Sequence, residues 1–363
     1  MSFLIDADSH IFPKEAMEKV TSIGFEPFTD KRGREWCRTP TGSVREWGEM
    51  YYDVKLRLHA MKEAGFEKQV LICDQGYVPD FIPLESSIKI CRSFNESISR
   101  LQKEHEEFIG IADVPHQDVK CAIEETERAI KDLDLKGIRI YGSWSGKNFE
   151  SEEWWPFFEF VEELDIPLFF HTHGTAGLGK FNPNLIGFER LTNLSSVKDP
   201  SGKARPLFVV GNGIGSGLEA IAMVSGLVFH GVLERFSRLR FAMLECGVGI
   251  APWIASRLEM IMDFNRAMQL QRGDLYGNWT PLRKKPSEYV KKHFWWTIDN
   301  VHETIIPSLV RDLHMGRRLL AQTDFPHPEG SLDVARWIRD MNISETDKEN
   351  ILGDNAADLL KMR

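Results

Sequence analysis

The chain has 363 residues, 42% of them hydrophobic, with 45 Lys and Arg against 54 Asp and Glu, giving a formal net charge of −9. This acidic balance, with no block of Lys or Arg, argues against a nucleic-acid surface and favours small-molecule partners. Five scattered cysteines without a CxxC pair argue against a disulfide framework or a cysteine metal site, and no leader or apolar run of about 18 residues suggests export or a membrane span, so a cytoplasmic protein is expected.

In chain order, the first predicted strand is "FLIDAD" at 3 to 8, continued by "SHIF". Asp6, Asp8 and His10 fall at every second position of this apolar run, so all three side chains share one face. Burying two carboxylates there is costly unless a cation compensates them. Further β-rich runs follow: "KQVLIC" near 70, "FIGIADV" from 108, "KGIRIYG" from 136, "PLFFHTH" from 167, "RFAMLEC" from 240, "HFWWTID" from 293 and "RLLAQTD" from 318. Segments of helical period such as "DVKCAIEETERAIKDLD" and "EEWWPFFEFVEELD" alternate with them, which predicts parallel βαβ units. Eight strands in such an α/β alternation predict a (β/α)8 TIM barrel, with residues 1–363 as a single domain.

Three stretches with loop chemistry, near 20–58, 174–210 and 265–292, read as insertions that cap the barrel. The closing "DKENILGDNAADLLKMR" reads as a helix packed on the outside. The run "VVGNGIGSG" at 209 to 217 has no placement that satisfies GxGxxG, so it is read as a glycine-rich loop before a helix, and no nucleotide cofactor is expected.

The polar residues that interrupt these strands lie at their C-terminal ends, the catalytic face of such a barrel. The fifth strand ends in His171 and His173, the sixth in Glu245 and the eighth in Asp324, with His327 three residues on. Together with Asp8 and His10 they form a set of imidazoles and carboxylates suited to a divalent metal. Asp8, His10, His171, Glu245 and Asp324 are the candidate ligands, and Asp324, Glu245 and His173 the candidate catalytic groups. Asp6 and His327 would support the shell, Arg139 would bind a substrate carboxylate or pair with a buried acid, and Trp144 belongs to a set of aromatics suited to an apolar pocket.

The motifs "DADSH", "PLFFHTHG", "ECGVG" and "TDFPHPEG" resemble the amidohydrolase superfamily. More narrowly they resemble its amidohydrolase-related branch, which contains aminocarboxymuconate-semialdehyde and resorcylate decarboxylases. The resemblance implies that the family's first-strand HxH is Asp8 and His10 here, that His171 is the fifth-strand metal histidine and Asp324 the eighth-strand aspartate, and that the protein forms a homodimer. Two positions depart from the pattern: Asp8 replaces the first histidine, and Glu245 stands where the decarboxylases commonly place a histidine. An oxygen-rich shell of this kind suits Mn or Fe as well as Zn, as one ion or two, with Glu245 either a ligand or an acid–base group. Because the sixth-strand histidine is absent, the expected reaction is hydrolysis of an ester, thioester, lactone or amide by a metal-activated water. Non-oxidative decarboxylation of an aromatic or unsaturated acid is the alternative.

Overall fold

The computed structural model describes residues 3–40, 44–74, 82–141, 143–144, 147–172, 208–273, 282–298, 304–328 and 330–362, with the backbone alone at 143–144, 147–148 and 208–213. Every predicted strand is present. β1 comprises two ladder segments, Ile5–Asp6 and His10–Ile11; the others are β2 Lys68–Cys73, β3 Phe108–Gly110, β4 Ile138–Ile140, β5 Leu168–Phe170, β6 Phe241–Met243, β7 Phe294–Ile298 and β8 Leu319–Ala321. Neighbouring strands pair in parallel, with Ile5 opposite Lys68, Gln69 opposite Phe108, Leu168 opposite both Ile138 and Phe241, Phe241 opposite Phe294, and Trp296 opposite Leu319. Single bridges join β3 to β4 at Ala112 and Ile138, and the ends of β1 and β8 at Ser9 and Phe325. Ala7 N donates to Ala321 O at 2.9 Å and His10 N to Phe325 O at 2.6 Å, so the eighth strand returns to the first and the barrel closes.

Alternation along each strand divides the core in two. Trp295 points into the barrel with Ile5, Val70, Ile109, Phe169 and Leu320. Its neighbours Phe294 and Trp296 join the larger core between strands and helices. Asp53 caps the helix Val54–Ala64 by accepting from Leu56 N at 3.0 Å, and Asp118 caps Val119–Lys131 by accepting from Cys121 N at 2.9 Å. These caps satisfy orphan amides at the start of each helix.

The structure corrects four details of the sequence reading. Residues 26–46 hold an antiparallel meander of Glu26–Thr29, Glu35–Arg38 and Val44–Glu46, turned at Gly33 with φ +81°. The run at 209 to 217 lies inside the helix Phe208–Phe229, because the long apolar segment continues through it despite the glycines. Residues 265–272 finish the helix Ile250–Arg272, and 286–293 form the helix Pro286–His293, with Pro286 in its first turn. Most of the 174–210 stretch lies outside the described residues. The terminal helical segments, Glu345–Glu349, Asn350–Asp354 and Asn355–Leu359, do more than pack outside. Ala356, Ala357, Leu359 and Leu360 share the barrel's interior cluster, and Asn355 Nδ2 donates to the carbonyls of Gly316 and Leu319 at 2.7 and 2.8 Å. This helix plugs the N-terminal mouth, and a side chain at Gly353 would collide with the Phe3 carbonyl. Among the described residues no helix is long and apolar enough to cross a membrane.

His293, just before β7, is 1% exposed and its Nδ1 donates to Leu239 O at 2.7 Å. Burial holds its pKa down to about 4 from 6.5. The neutral ring therefore stabilises the fold above pH 6.5, and that contribution is lost as pH falls from 6.5 through 4, a loss of about 3 kcal/mol. Denaturant titrations across this range are expected to show the decline, and His293→Asn, whose amide can keep the bond to Leu239, is expected to flatten it.

Candidate metal centre

Barrel closure brings residues 6–10 and 323–327 side by side. Asp8, His10 and His171 are fully buried, Asp324 is 2% exposed, and the Glu245 side chain is 16% exposed. His10 Nε2 is the hub: it lies 3.7 Å from Asp8 Oδ1, 3.2 Å from Glu245 Oε1, 3.0 Å from Asp324 Oδ1 and 3.4 Å from His171 Nε2. Glu245 Oε1 is also 3.2 Å from His171 Nε2. His171 Nδ1 donates to the Thr172 carbonyl at 2.8 Å, which turns Nε2 to the cluster. Glu245 and Asp324 leave their strands with φ +50° and +56°. This left-handed backbone costs a branchless residue little but a side-chain-bearing one about 1–2 kcal/mol, a strain typical of residues held for function.

Asp6 stands behind this cluster. It accepts from Thr323 N at 2.8 Å, Thr323 Oγ1 at 2.6 Å and Gln69 Nε2 at 2.8 Å, and burial raises its pKa to about 6 against those bonds. Gln69 Oε1 in turn accepts from Arg57 Nη1 at 3.0 Å, and Arg57 also holds Ser9 Oγ and the His10 carbonyl. His327 lies between two carboxylates, with Nδ1 2.9 Å from Asp324 Oδ1 and Nε2 3.0 Å from Asp74 Oδ2, and stacks on His10 at 4.2 Å. Burial disfavours its charge, but Asp324 and Asp74 together hold its pKa well above 6.5. Both ring nitrogens thus face carboxylates, an arrangement that favours the protonated ring.

Arg139 is committed elsewhere. Its guanidinium forms a buried two-pronged pair with Asp113, Nε to Oδ1 at 2.6 Å and Nη2 to Oδ2, and donates to the Cys73 carbonyl. Of the two partners expected for Arg139, a substrate carboxylate or a buried acid, the acid occupies it. His173 and the Trp144 side chain lie outside the described residues. Four supporting residues escaped the sequence reading. Asp74 follows β2 in "LICDQG" and carried the same signal as the other strand-end acids. Arg57 sits in a helix, where a cation reads as solvent-facing, and Gln69 and Thr323 are recognisable only through their partner Asp6.

The donor set fits a divalent cation. Neither Asp8 oxygen has a hydrogen-bond partner among the described residues, and His10 Nδ1 is also unpartnered. Burial raises the Asp8 pKa to about 7, with Glu245 and Asp324 adding to the effect against His10 and His171. His10 is raised to about 10: burial and His327 oppose its charge, and Asp8, Asp324 and Glu245 outweigh them. Glu245 is held well below 4.5, because His171 and His10 outweigh its burial. Two overlapping groups could each hold an ion, Asp8 with His10, His171 and Glu245, and His10 with Glu245, Asp324 and His327.

Residues 5–362 match the family model described as Amidohydrolase. The chain is 25% identical over 365 residues to 2-amino-3-carboxymuconate-6-semialdehyde decarboxylase of Dictyostelium discoideum, covering 99% of this chain and 92% of the relative. It is 25% identical over 317 residues to gamma-resorcylate decarboxylase of Polaromonas sp., covering 84% and 86%. Among solved structures, dihydroxybenzoic acid decarboxylase of Polaromonas sp., with bound manganese and the inhibitor 2-nitroresorcinol, superposes with a TM-score of 0.70 at 20% identity over 100% and 98% of the two chains. The 5-carboxyvanillate decarboxylase of Novosphingobium aromaticivorans, complexed with manganese and 4-hydroxy-3-methoxy-5-nitrobenzoic acid, does so with a TM-score of 0.74 at 18% identity over 99% and 96%. These relatives are decarboxylases, which overturns the expectation of hydrolysis.

Asp8→Asn removes a buried carboxylate that only a cation would satisfy. At pH 8 the metal-free variant is expected to melt a few degrees above the metal-free wild type. It is also expected to lose most of the further upward shift that manganese gives the wild type. Scanning calorimetry with and without manganese measures both effects.

Proposed function

The chain belongs to the amidohydrolase family, and on that premise we propose that it is a metal-dependent, non-oxidative decarboxylase of a small aromatic or unsaturated carboxylic acid. Residues 1–363 act as one catalytic unit in this reading, which the family match over residues 5–362 supports. The observation that carries it is the position of Asp324, whose Oδ1 lies 3.0 Å from His10 Nε2 and 2.9 Å from His327 Nδ1. One carboxylate thus joins the ligand cluster to a buried proton source.

Asp8, His10, His171, Glu245 and Asp324 would hold the cation, and three carboxylates among five donors favour manganese over zinc. When bound, the ion supplies positive charge that draws the substrate carboxylate and an adjacent hydroxyl or keto oxygen. The protein's own task is a proton. Loss of carbon dioxide leaves the carbon–carbon electron pair on the substrate, so that carbon must gain a proton. Asp324 delivers it, replenished from His327 Nδ1, while Asp74 accepts from His327 Nε2 and keeps the ring in line. Asp6, tied to Thr323 beside Asp324, positions the strand end that carries it. Tyr141 and Tyr51, with ring centroids 6.4 Å from His171 and 6.2 Å from His327, give the cluster aromatic walls that suit an aromatic acid.

Manganese-loaded protein is expected to release carbon dioxide from at least one member of a panel that includes 2,6-dihydroxybenzoate and 5-carboxyvanillate. Asp324→Asn is expected to lower kcat by at least about 100-fold, and His327→Gln by about 10-fold or more. A coupled carbon dioxide assay reads both. Bound panel acids without release of carbon dioxide would overturn the reading.

A further inference from the structure

A cavity of about 450 Å³ opens on the outer wall of the barrel, between the helices Ile250–Arg272 and Pro286–His293 and the outward face of β7. None of the candidate metal ligands lines it. Its volume falls in the range of sites that enclose small organic ligands. The floor is apolar, formed by Val290, Phe294, Trp296 and Met315, each less than a tenth exposed. Trp296 is 1% exposed and its Nε1–H has no acceptor among the described residues. That N–H is shut off from solvent, so what the cavity meets of Trp296 is its carbon surface.

The rim is cationic. Lys291, Arg317 and Arg318 line the same cavity. Arg318 lies over the Trp295 ring at 4.3 Å and commits Nε and Nη1 to the carbonyls of Lys291 and Arg317 at 2.5 and 3.0 Å, with Nη2 unpaired among the described residues. Arg317 donates to Asn350 Oδ1 at 2.7 Å and has Asp358 at 3.9 Å. The one carboxylate among the lining residues, Glu259, accepts from the Ser287 hydroxyl. Water alone would leave the floor wet, a bare inorganic anion would leave it uncovered, and a neutral hydrocarbon would desolvate the rim without an anion to meet it.

We propose that this cavity is a binding site for a small amphipathic carboxylate. Its chain or ring lies on Val290, Phe294, Trp296 and Met315, and its carboxylate meets Lys291, Arg317 and Arg318. The site is separate from the metal centre and stands whichever reaction that centre performs.

Isothermal titration of the full-length, manganese-loaded protein with sodium octanoate tests it. The expected result has three parts: a site of one octanoate per chain, a loss of about tenfold in its affinity in Lys291→Gln/Arg317→Gln, and its disappearance in Ala255→Phe, which fills the cavity. The surface pair leaves the apolar packing intact, so it reports on binding even where the filling variant folds poorly. Wild-type affinity in the charge pair, or an unchanged site in folded Ala255→Phe, would place the ligand elsewhere and overturn the proposal. So would self-association through this face, seen by ultracentrifugation and abolished by Ala255→Phe, with no octanoate bound.

Discussion

The return of β8 to β1 is the constraint on which the rest of the structure depends. Ala7 N bonds to Ala321 O, Asp324 N to Asp8 O at 3.1 Å and His10 N to Phe325 O, so three backbone bonds fix the first and last strands in one register. The side chains of Asp8, His10 and Asp324 converge because of that register. A slip by one residue would turn each of them to the opposite face and disperse the cluster. Asp6 adds a side-chain lock to the same seam by accepting both the amide and the hydroxyl of Thr323.

Against that rigid seam the fold carries a large electrostatic load. Four carboxylates, from Asp8, Asp74, Glu245 and Asp324, share a small buried volume with three imidazoles. The imidazoles answer part of the charge. His327 is taken by Asp74 and Asp324, whereas the Asp8 carboxylate has no hydrogen-bond partner among the described residues. The left-handed backbone at Glu245 and Asp324 adds local strain at two of the same residues. Such a mouth is stable only because the surrounding barrel, with its two apolar layers, over-determines it.

Most of this was legible in the sequence. The eight strands were readable because each is a short apolar run that ends in polar residues, and the cluster because those polar residues are ligand types on separate strands. Asp74, at the end of "LICD", carries the same signal. Arg57 carried none, since its role lies in backbone and side-chain atoms from β1 and β2 that only the folded barrel brings to it. The glycines of 209 to 217 hide a helix because local propensity is weak beside the burial of Ala220, Met223, Val224, Leu227 and Val228 further along it. Glu245 misdirected the choice of reaction for a different reason: water activation and carbon protonation can draw on the same shell, so one substituted ligand does not select between them.

The helix that plugs the barrel floor has a consequence for biosynthesis. Residues of the first strand gain their last partners from β8 and from Ala356, Ala357 and Leu360, more than three hundred positions later. A nascent chain still missing those residues holds an open sheet with one unpaired edge and an uncovered apolar floor. Closure is therefore among the latest events of synthesis, and until then the half-barrel keeps one sheet edge and its apolar floor uncovered.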